Sequence, residues 1–292
     1  MSENKEELHQ IFNKCKNIIL SKLCLNICFM VITIISNIIL SILRKININN
    51  YYYKRTIFLS KNKKHYNESN LVTFEDKINW LIIHDTKRLK GKCSDKILLH
   101  KFSKIKLGKD ICNKILKIYK NTKQIDFNEL PNNFVIKANH GKGFNIIVNN
   151  KTNLNYTKTK KMLDKWMKID FGKKHAEFHY SYIKRKIFVE EYIGNKFKNY
   201  KFLCYNGNPK YVYLSIKDNH AKYRNFYDMN WIFLNFSCLS EPHPYLNLYE
   251  LENEIRLGEL TFTPMNSFFY CKNKIDEIKL GKDIKVNTEY DE

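Results

Sequence analysis

The stretch 132–150, NNFVIKANHGKGFNIIVNN, sets two β-rich runs, Phe134-Val135-Ile136 and Phe144-Asn145-Ile146-Ile147-Val148, either side of a tight polar turn, His140-Gly141-Lys142-Gly143. Branched and aromatic residues interrupted by a glycine-bearing turn read as a β-hairpin. Lys137 closes the first run. An ammonium at a strand end can point at the phosphates of a nucleotide, and glycines let backbone N–H groups come close to phosphate oxygens. The turn lacks G-x-x-x-x-G-K-[ST], which excludes a P-loop. On these residues alone two readings stay open: an ordinary hairpin, and a flap that covers a phosphate.

Upstream of the hairpin the texture differs. TFEDKINWLIIHD, SDKILLHKFSKIKLG and DICNKILKIYKN carry apolar residues at three- and four-residue spacing, which predicts three helices before Pro131. Downstream, TKTKKMLDKWMKIDFG predicts an amphipathic helix. KIFVEEYIG, YKFLCYNGNPKYVYLSI and LNLYELENEIRLGELTFTP predict strands, the second a hairpin turning at Asn206-Gly207. Helices first and mostly antiparallel strands afterwards define an α+β architecture.

The chain of 292 residues, 43% hydrophobic and 14% aromatic, is long enough to bury a core. Its net charge of +22 would ordinarily point to a polyanion. Lys, Asn, Ile, Tyr and Phe abound while Arg, Gly and Pro are scarce, the bias of an AT-rich coding sequence. The basic residues are spread along the chain and no nucleic-acid-binding motif is present, so no specific nucleic-acid partner is expected. Eight cysteines at irregular spacing contain no C-x-x-C pair, which argues against a disulfide framework or a cysteine zinc site and fits a reducing compartment. HAEFH places His175 and His179 four apart, but Glu177 does not occupy the position that H-E-x-x-H requires.

Leu23 to Leu43 is 21 residues without a charge, the length of a spanning helix. Lys and Arg are denser after it than before it, which predicts a single-pass membrane protein whose carboxyl-terminal domain faces the cytoplasm. Residues 1–22 then form an amino-terminal tail, and the basic stretch 44–70 a linker able to meet anionic lipid heads. The folded domain occupies 71–292.

Two further groups bear on the hairpin. Glu190 and Glu191 end a strand and precede Tyr192 and Ile193, an arrangement able to accept hydrogen bonds from an adenine amine and ribose hydroxyls. Glu259 lies on a strand paired with the one carrying Asn247, and oxygen ligands on adjacent strands can present Mg2+ to phosphates.

The order FVIKANHGKGFNIIV, EFHYSYIKRKIFVEEYI, YKFLCYNG, GELTFTP, opened by LVTFEDKINWL and SDKILLHKF, resembles the TupA-like branch of the ATP-grasp superfamily, from about Asn67 to Lys282. The resemblance implies antiparallel sheets with flanking helices, ATP and Mg2+ as cofactors, and an ATP-dependent carboxylate–amine ligase working through an acyl phosphate. It also implies a place in cell-surface polysaccharide or capsule synthesis. Lys96 and Lys137 would contact phosphates, and His140, Gly141, Lys142 and Gly143 would form the flap, within about 131–150. Glu190, Glu191, Tyr192 and Ile193 would form the adenine hinge, within about 187–195. Lys201 falls in the D-Y-K-F-like stretch, and Glu259, Asn247 and Thr261 fall at the metal end. Tyr245 and Asn247 stand where the family has an arginine and an aspartate, Asn199 where it has an acid, and Ser267 where it has a glycine. The helix preceding that run is missing. These departures keep two alternatives open: a glycosyltransferase-like polysaccharide-assembly protein, and a catalytically inactive nucleotide-binding membrane protein.

Overall fold

The computed structural model describes residues 34, 35, 38, 68–85, 87–194, 197–217, 222–236, 245–262 and 273–286. The chain divides into two units, 1–66 and 67–292. In the first, Ile34, Ile35 and Ile38 are helical and exposed. The rest of the expected membrane segment 23–43, the tail and nearly all of the linker lie outside the described residues, as does Ser267. Among the described residues no helix is long and apolar enough to cross a membrane.

In the second unit the first three helices are α1 (Phe74–His84), α2 (Arg88–Ser94) and α3 (Leu98–Leu107). α1 starts on a reciprocal cap between Thr73 and Asp76. α3 stops at Gly108, whose φ of 73° is the left-handed conformation of a helix C-cap. DICNKILKIYKN, expected to be a third long helix, is instead the strand β1 (Ile115–Tyr119). Asp110 holds the Cys112 N–H at 3.0 Å, and the chain then pairs with a later strand. A short apolar run does not distinguish strand from helix by periodicity, and tertiary pairing settles it here.

The hairpin is real. β2 (Phe134–Ala138) pairs with β3 (Asn145–Val148), Lys137 opposite Asn145. Next come α4 (Tyr156–Lys168), the short α5 (Phe171–His175) and β4 (Ile187–Glu190). These strands form a four-stranded sheet in the order β1-β4-β2-β3, every pairing antiparallel. Strand period two splits its residues. Phe134, Ile136, Ile187 and Val189 face a core with Leu163, Val148, Phe127 and Leu130, while Val135, Lys137, Phe188 and Glu190 point the other way.

The remaining strands are β5 (Lys198–Tyr205), β6 (Asn208–Lys217), β7 (Lys222–Asp228), β8 (Phe233–Leu234), β9 (Tyr245–Glu250) and β10 (Ile255–Thr261), followed by α6 (Lys274–Lys282). They form a second antiparallel sheet, β10-β9-β5-β6-β7-β8. The β5–β6 turn is the expected two-residue one, with φ of 51° at Asn206 and 85° at Gly207, as a twisted hairpin demands. α3 covers one face of β9 and β10 through Leu99, Phe102, Leu246, Leu248, Leu257 and Leu260.

Leu163 projects from α4 into the small-sheet core and is fully buried. Leu163→Ala is expected to lower stability by about 2–5 kcal/mol, from lost transfer energy and a residual cavity. Exposed Lys161 on the same helix is the control, and Lys161→Ala should move it by less than about 0.5 kcal/mol in urea unfolding.

Candidate active site

The site is built where two rows of side chains face each other. In the large sheet, Tyr213 of β6, Lys201 of β5, Asn247 of β9 and Glu259 of β10 lie directly opposite one another in successive pairs. Glu259 reaches this row through a bulge. Leu257 pairs with Leu248, then Glu259 pairs with Asn247, so Gly258 is the extra residue and the face of every later side chain is switched. A Cβ at Gly258 would stand 2.8 Å from the Tyr249 ring, so only glycine fits the bulge beside that ring. The expected Asn247–Glu259 pair is therefore present, and Lys201 joins it from the next strand.

Asn247 is buried, and its amide N–H lies 3.3 Å from the Tyr249 hydroxyl. Its Oδ1 is buried without a hydrogen-bond partner among the described residues. Lys201 is buried, with its ammonium 5.9 Å from the centre of the Tyr213 ring. Burial holds the Tyr249 phenol well above its ordinary pKa, and the charges of Glu259 and Glu190 add to this. Tyr249 thus senses both sheets.

From the small sheet, Lys137 forms an ion pair with Glu190, whose carboxylate is 8% exposed. Glu190 also lies 3.5 Å from the Asn113 amide. Lys96, just before α3, donates to the Gly141 carbonyl at 2.6 Å. Burial pushes the Lys96 ammonium pKa down; Glu259 opposes this, Lys137 adds to it, and Asp95 and Glu190 oppose it. Lys96, Lys137, Glu190, Asn113, His100, Cys112 and Gly258 surround a cavity of only about 10 Å3. The cleft is closed on its own ion pair. A wider groove of about 850 Å3 lies elsewhere, between α3 and the β9–β10 edge.

The turn is clamped at its base. His140 is 1% exposed, and its Nε2 donates to the Trp166 carbonyl at 3.1 Å, while Nδ1 has no hydrogen-bond partner among the described residues. Gly141 lies against aromatic rings: an added Cβ would meet Phe171 at 2.6 Å and Phe144 at 2.9 Å. Lys142 and Gly143 are exposed, and Gly143 has a φ of 78°. Of the four expected flap residues, then, only the last two are at the surface.

The hinge residues divide. Glu190 faces the cleft. The Glu191 carboxylate accepts from the Lys114 N–H at 2.8 Å and lies 3.3 Å from Arg256, while its own N–H donates to Lys114 O at 2.9 Å. Tyr192 and Ile193 are half-buried, Ile193 beside Leu251–Glu254. Thr261, two residues beyond Glu259, is buried beside a separate cavity of about 420 Å3 with Asp85 and Lys90. His175 ends α5 and His179 sits in the 3-10 turn Phe178–Tyr182, with Ala176 in left-handed conformation between them, so they share no helix face.

Sequence reasoning missed Asn139. Its amide donates to Asp95 Oδ2 and to Lys184 O, both at 3.0 Å, and its Oδ1 accepts from the Lys186 N–H at 2.7 Å. Its backbone carbonyl accepts from the Lys96 N–H at 3.4 Å. One buried asparagine thus fixes the segments carrying both candidate phosphate lysines. Its position between the Lys137 strand end and the glycine turn was the available signal.

The chain belongs to the TupA-like ATP-grasp family, whose model matches residues 76–242. Among solved structures, the D-alanine–D-alanine ligase from Helicobacter pylori is similar over 66% of this chain and 61% of that one, with 16% identity and a TM-score of 0.31. The chain thus spans under two thirds of that ligase. No curated protein matches the chain.

Burial lowers the His140 pKa to about 4, against a partial opposing effect of the Trp166 carbonyl. Unfolded, the ring titrates near 6.5, so between about pH 6.5 and 4 the unfolded chain holds a proton the folded one refuses. Stability is expected to fall as pH drops through that window, by about 3 kcal/mol for this group at pH 4. His140→Gln should flatten the pH dependence of urea unfolding by roughly one proton there. His179, pushed by burial to about 3, supplies a second such proton that this variant leaves in place.

Proposed function

We propose that this protein is an ATP-dependent carboxylate–amine ligase acting in cell-surface polysaccharide assembly. The observation that carries the reading is the in-register row Lys201–Asn247–Glu259 facing Lys96 and the Lys137–Glu190 pair across one cleft. Phosphate oxygens would take the places now held by Gly141 O on Lys96 and by Glu190 on Lys137. The donor set suits Mg2+: Asn247 Oδ1, without a hydrogen-bond partner among the described residues, and the Glu259 carboxylate are hard oxygen ligands on neighbouring strands. Bound there, Mg2+ would neutralise charge on the transferring phosphoryl group. In the reaction, a substrate carboxylate oxygen attacks the γ-phosphorus of ATP and ADP leaves. The substrate amine then attacks the acyl carbon, phosphate departs, and an amide remains. The lysines would orient the phosphates once these displace Glu190 and Gly141 O.

Asn247 favours a second reading, nucleotide binding without turnover. An amide brings no negative charge to the metal, so Glu259 alone would supply it. With either reading we propose that residues 23–43 anchor the protein in a membrane with residues 71–292 on the cytoplasmic side.

Mg-ATP at 100 times its Kd should stabilise the protein by about 2.7 kcal/mol, raising Tm by about 5–10 °C. The double variant Lys137→Ala with Glu190→Gln leaves no buried unpaired charge and should fold, yet lose that shift. An equal shift in both proteins removes Lys137 from the site. Asn247→Asp should tighten Mg-ATP binding by calorimetry, and Glu259→Ala should weaken it. Amide formation with ADP release separates the ligase reading from the binding-only one.

The anchor is tested by alkaline carbonate extraction of membranes. The full chain should stay in the pellet, and deletion of residues 1–45 should release the protein. Full-length protein in the soluble fraction without detergent would discard the anchor.

A further inference from the structure

Behind the cleft, three side chains that the nucleotide reading does not use come together: His100 of α3, Asp110 after the Gly108 turn, and Cys112. One ligand atom from each lies within 4.8 Å of the other two. We propose that these three residues form a transition-metal site, selective for Zn2+ over Mg2+.

The backbone builds the group from a segment of thirteen residues. α3 carries His100, the left-handed Gly108 reverses the chain, and residues 110–112 return alongside the helix. Two of the ligands, Asp110 and Cys112, are then held from behind. Asp110 Oδ1 accepts the Cys112 N–H at 3.0 Å, which aims Oδ2 at His100 Nδ1, 2.7 Å away. Cys112 is fastened to β10 by a bridge to Leu257 and by Arg256, whose guanidinium donates to Cys112 O at 3.0 Å. Ser103 Oγ donates to Lys109 O and accepts the Ile111 N–H, both at 3.2 Å, bracing the turn between helix and ligands. Supports of this kind are what orient metal ligands in built sites.

The donor set selects the ion. One thiolate sulfur, one imidazole nitrogen and one carboxylate oxygen match zinc, and sulfur and nitrogen are poor partners for the hard Mg2+. A bare His–Asp ion pair would also explain the 2.7 Å contact, and the apolar cluster with Leu99 and Leu257 would by itself bury Cys112; what points to an ion is that one ligand atom from each of the three lies within 4.8 Å of the others. Three protein ligands leave the fourth tetrahedral position to water. His100 and Cys112 also line the small cavity with Lys96, Lys137 and Glu190, so the ion would sit at the back wall of the cleft. This inference does not depend on the ligase reading, since its probe is the metal alone.

The experiment titrates the full-length, reduced protein with Co2+, whose bond to a thiolate gives a near-ultraviolet charge-transfer band, followed by displacement with Zn2+. The expected result is a saturable band that is abolished in Cys112→Ser. In His100→Gln and in Asp110→Asn the band should need at least about tenfold more Co2+. Mg2+ in large excess should leave it unchanged. Absence of a band in the wild type overturns the proposal. So does a band that survives Cys112→Ser, because another of the eight cysteines would then be the ligand. If Cys112→Ser fails to fold, the His100 and Asp110 variants decide: both lie outside the apolar core, and unchanged Co2+ affinity in both also overturns the site.

Discussion

Lys137 and Glu190 sit on neighbouring antiparallel strands, on the face of the small sheet turned away from its core, and the cleft closes on their ion pair. Such a pair contributes little net stability, because desolvation offsets most of the attraction. Removing one partner is another matter, leaving a buried charge at a cost of about 3–5 kcal/mol. The pair therefore acts as a condition on what may enter. A neutral ligand cannot replace Glu190 on Lys137, whereas a phosphate can, and the same exchange is open to Lys96 at the Gly141 carbonyl. On the proposed reading, a preference for anions would follow from this substitution rather than from the overall charge of the chain.

Both lysines depend on Asn139. It lies two residues beyond Lys137 on the chain, and its amide and carbonyl hold Asp95 and Lys96. Asp95 in turn accepts the N–H groups of Ile97 and Leu98 and so starts α3. Burial raises the Asp95 carboxyl pKa, opposed by those N–H bonds and by the Asn139 amide. A loss at Asn139 would thus disturb the helix start, the strand end and the 184–186 segment together. The glycine turn, the segments carrying Lys96 and Lys137, and α3 are one hydrogen-bonded unit.

How far the sequence revealed this depended on whether a residue's role was local. The hairpin, the Asn206-Gly207 turn and the Lys137 position followed from turn chemistry and strand period, and five motifs in the right order gave the family. The Asn247–Glu259 pairing was legible as two adjacent strands, although their shared face rests on the Gly258 bulge, which alternation alone would have placed wrongly. β1 was misread because a five-residue apolar strand and a helix fragment carry the same pattern until a partner strand is known. The Glu191–Arg256 contact was invisible for the same reason, and of Asn139 only its place between Lys137 and the glycine turn was legible, because its partners lie far along the chain.

The glycine turn joins a buried base to an exposed tip. His140 and Gly141 are locked by the Trp166 carbonyl and by the Phe144 and Phe171 rings. Phe144 itself stacks on Trp166 at 5.3 Å and meets Phe171 edge-on at 5.7 Å. No ligand could draw His140 toward a phosphate without dismantling that cluster. Lys142 and Gly143 are exposed, and Gly143 takes a left-handed φ of 78°. On the proposed reading, phosphate contact from this hairpin would therefore fall to Lys137 rather than to His140, which the Trp166 carbonyl and the aromatic cluster hold in place.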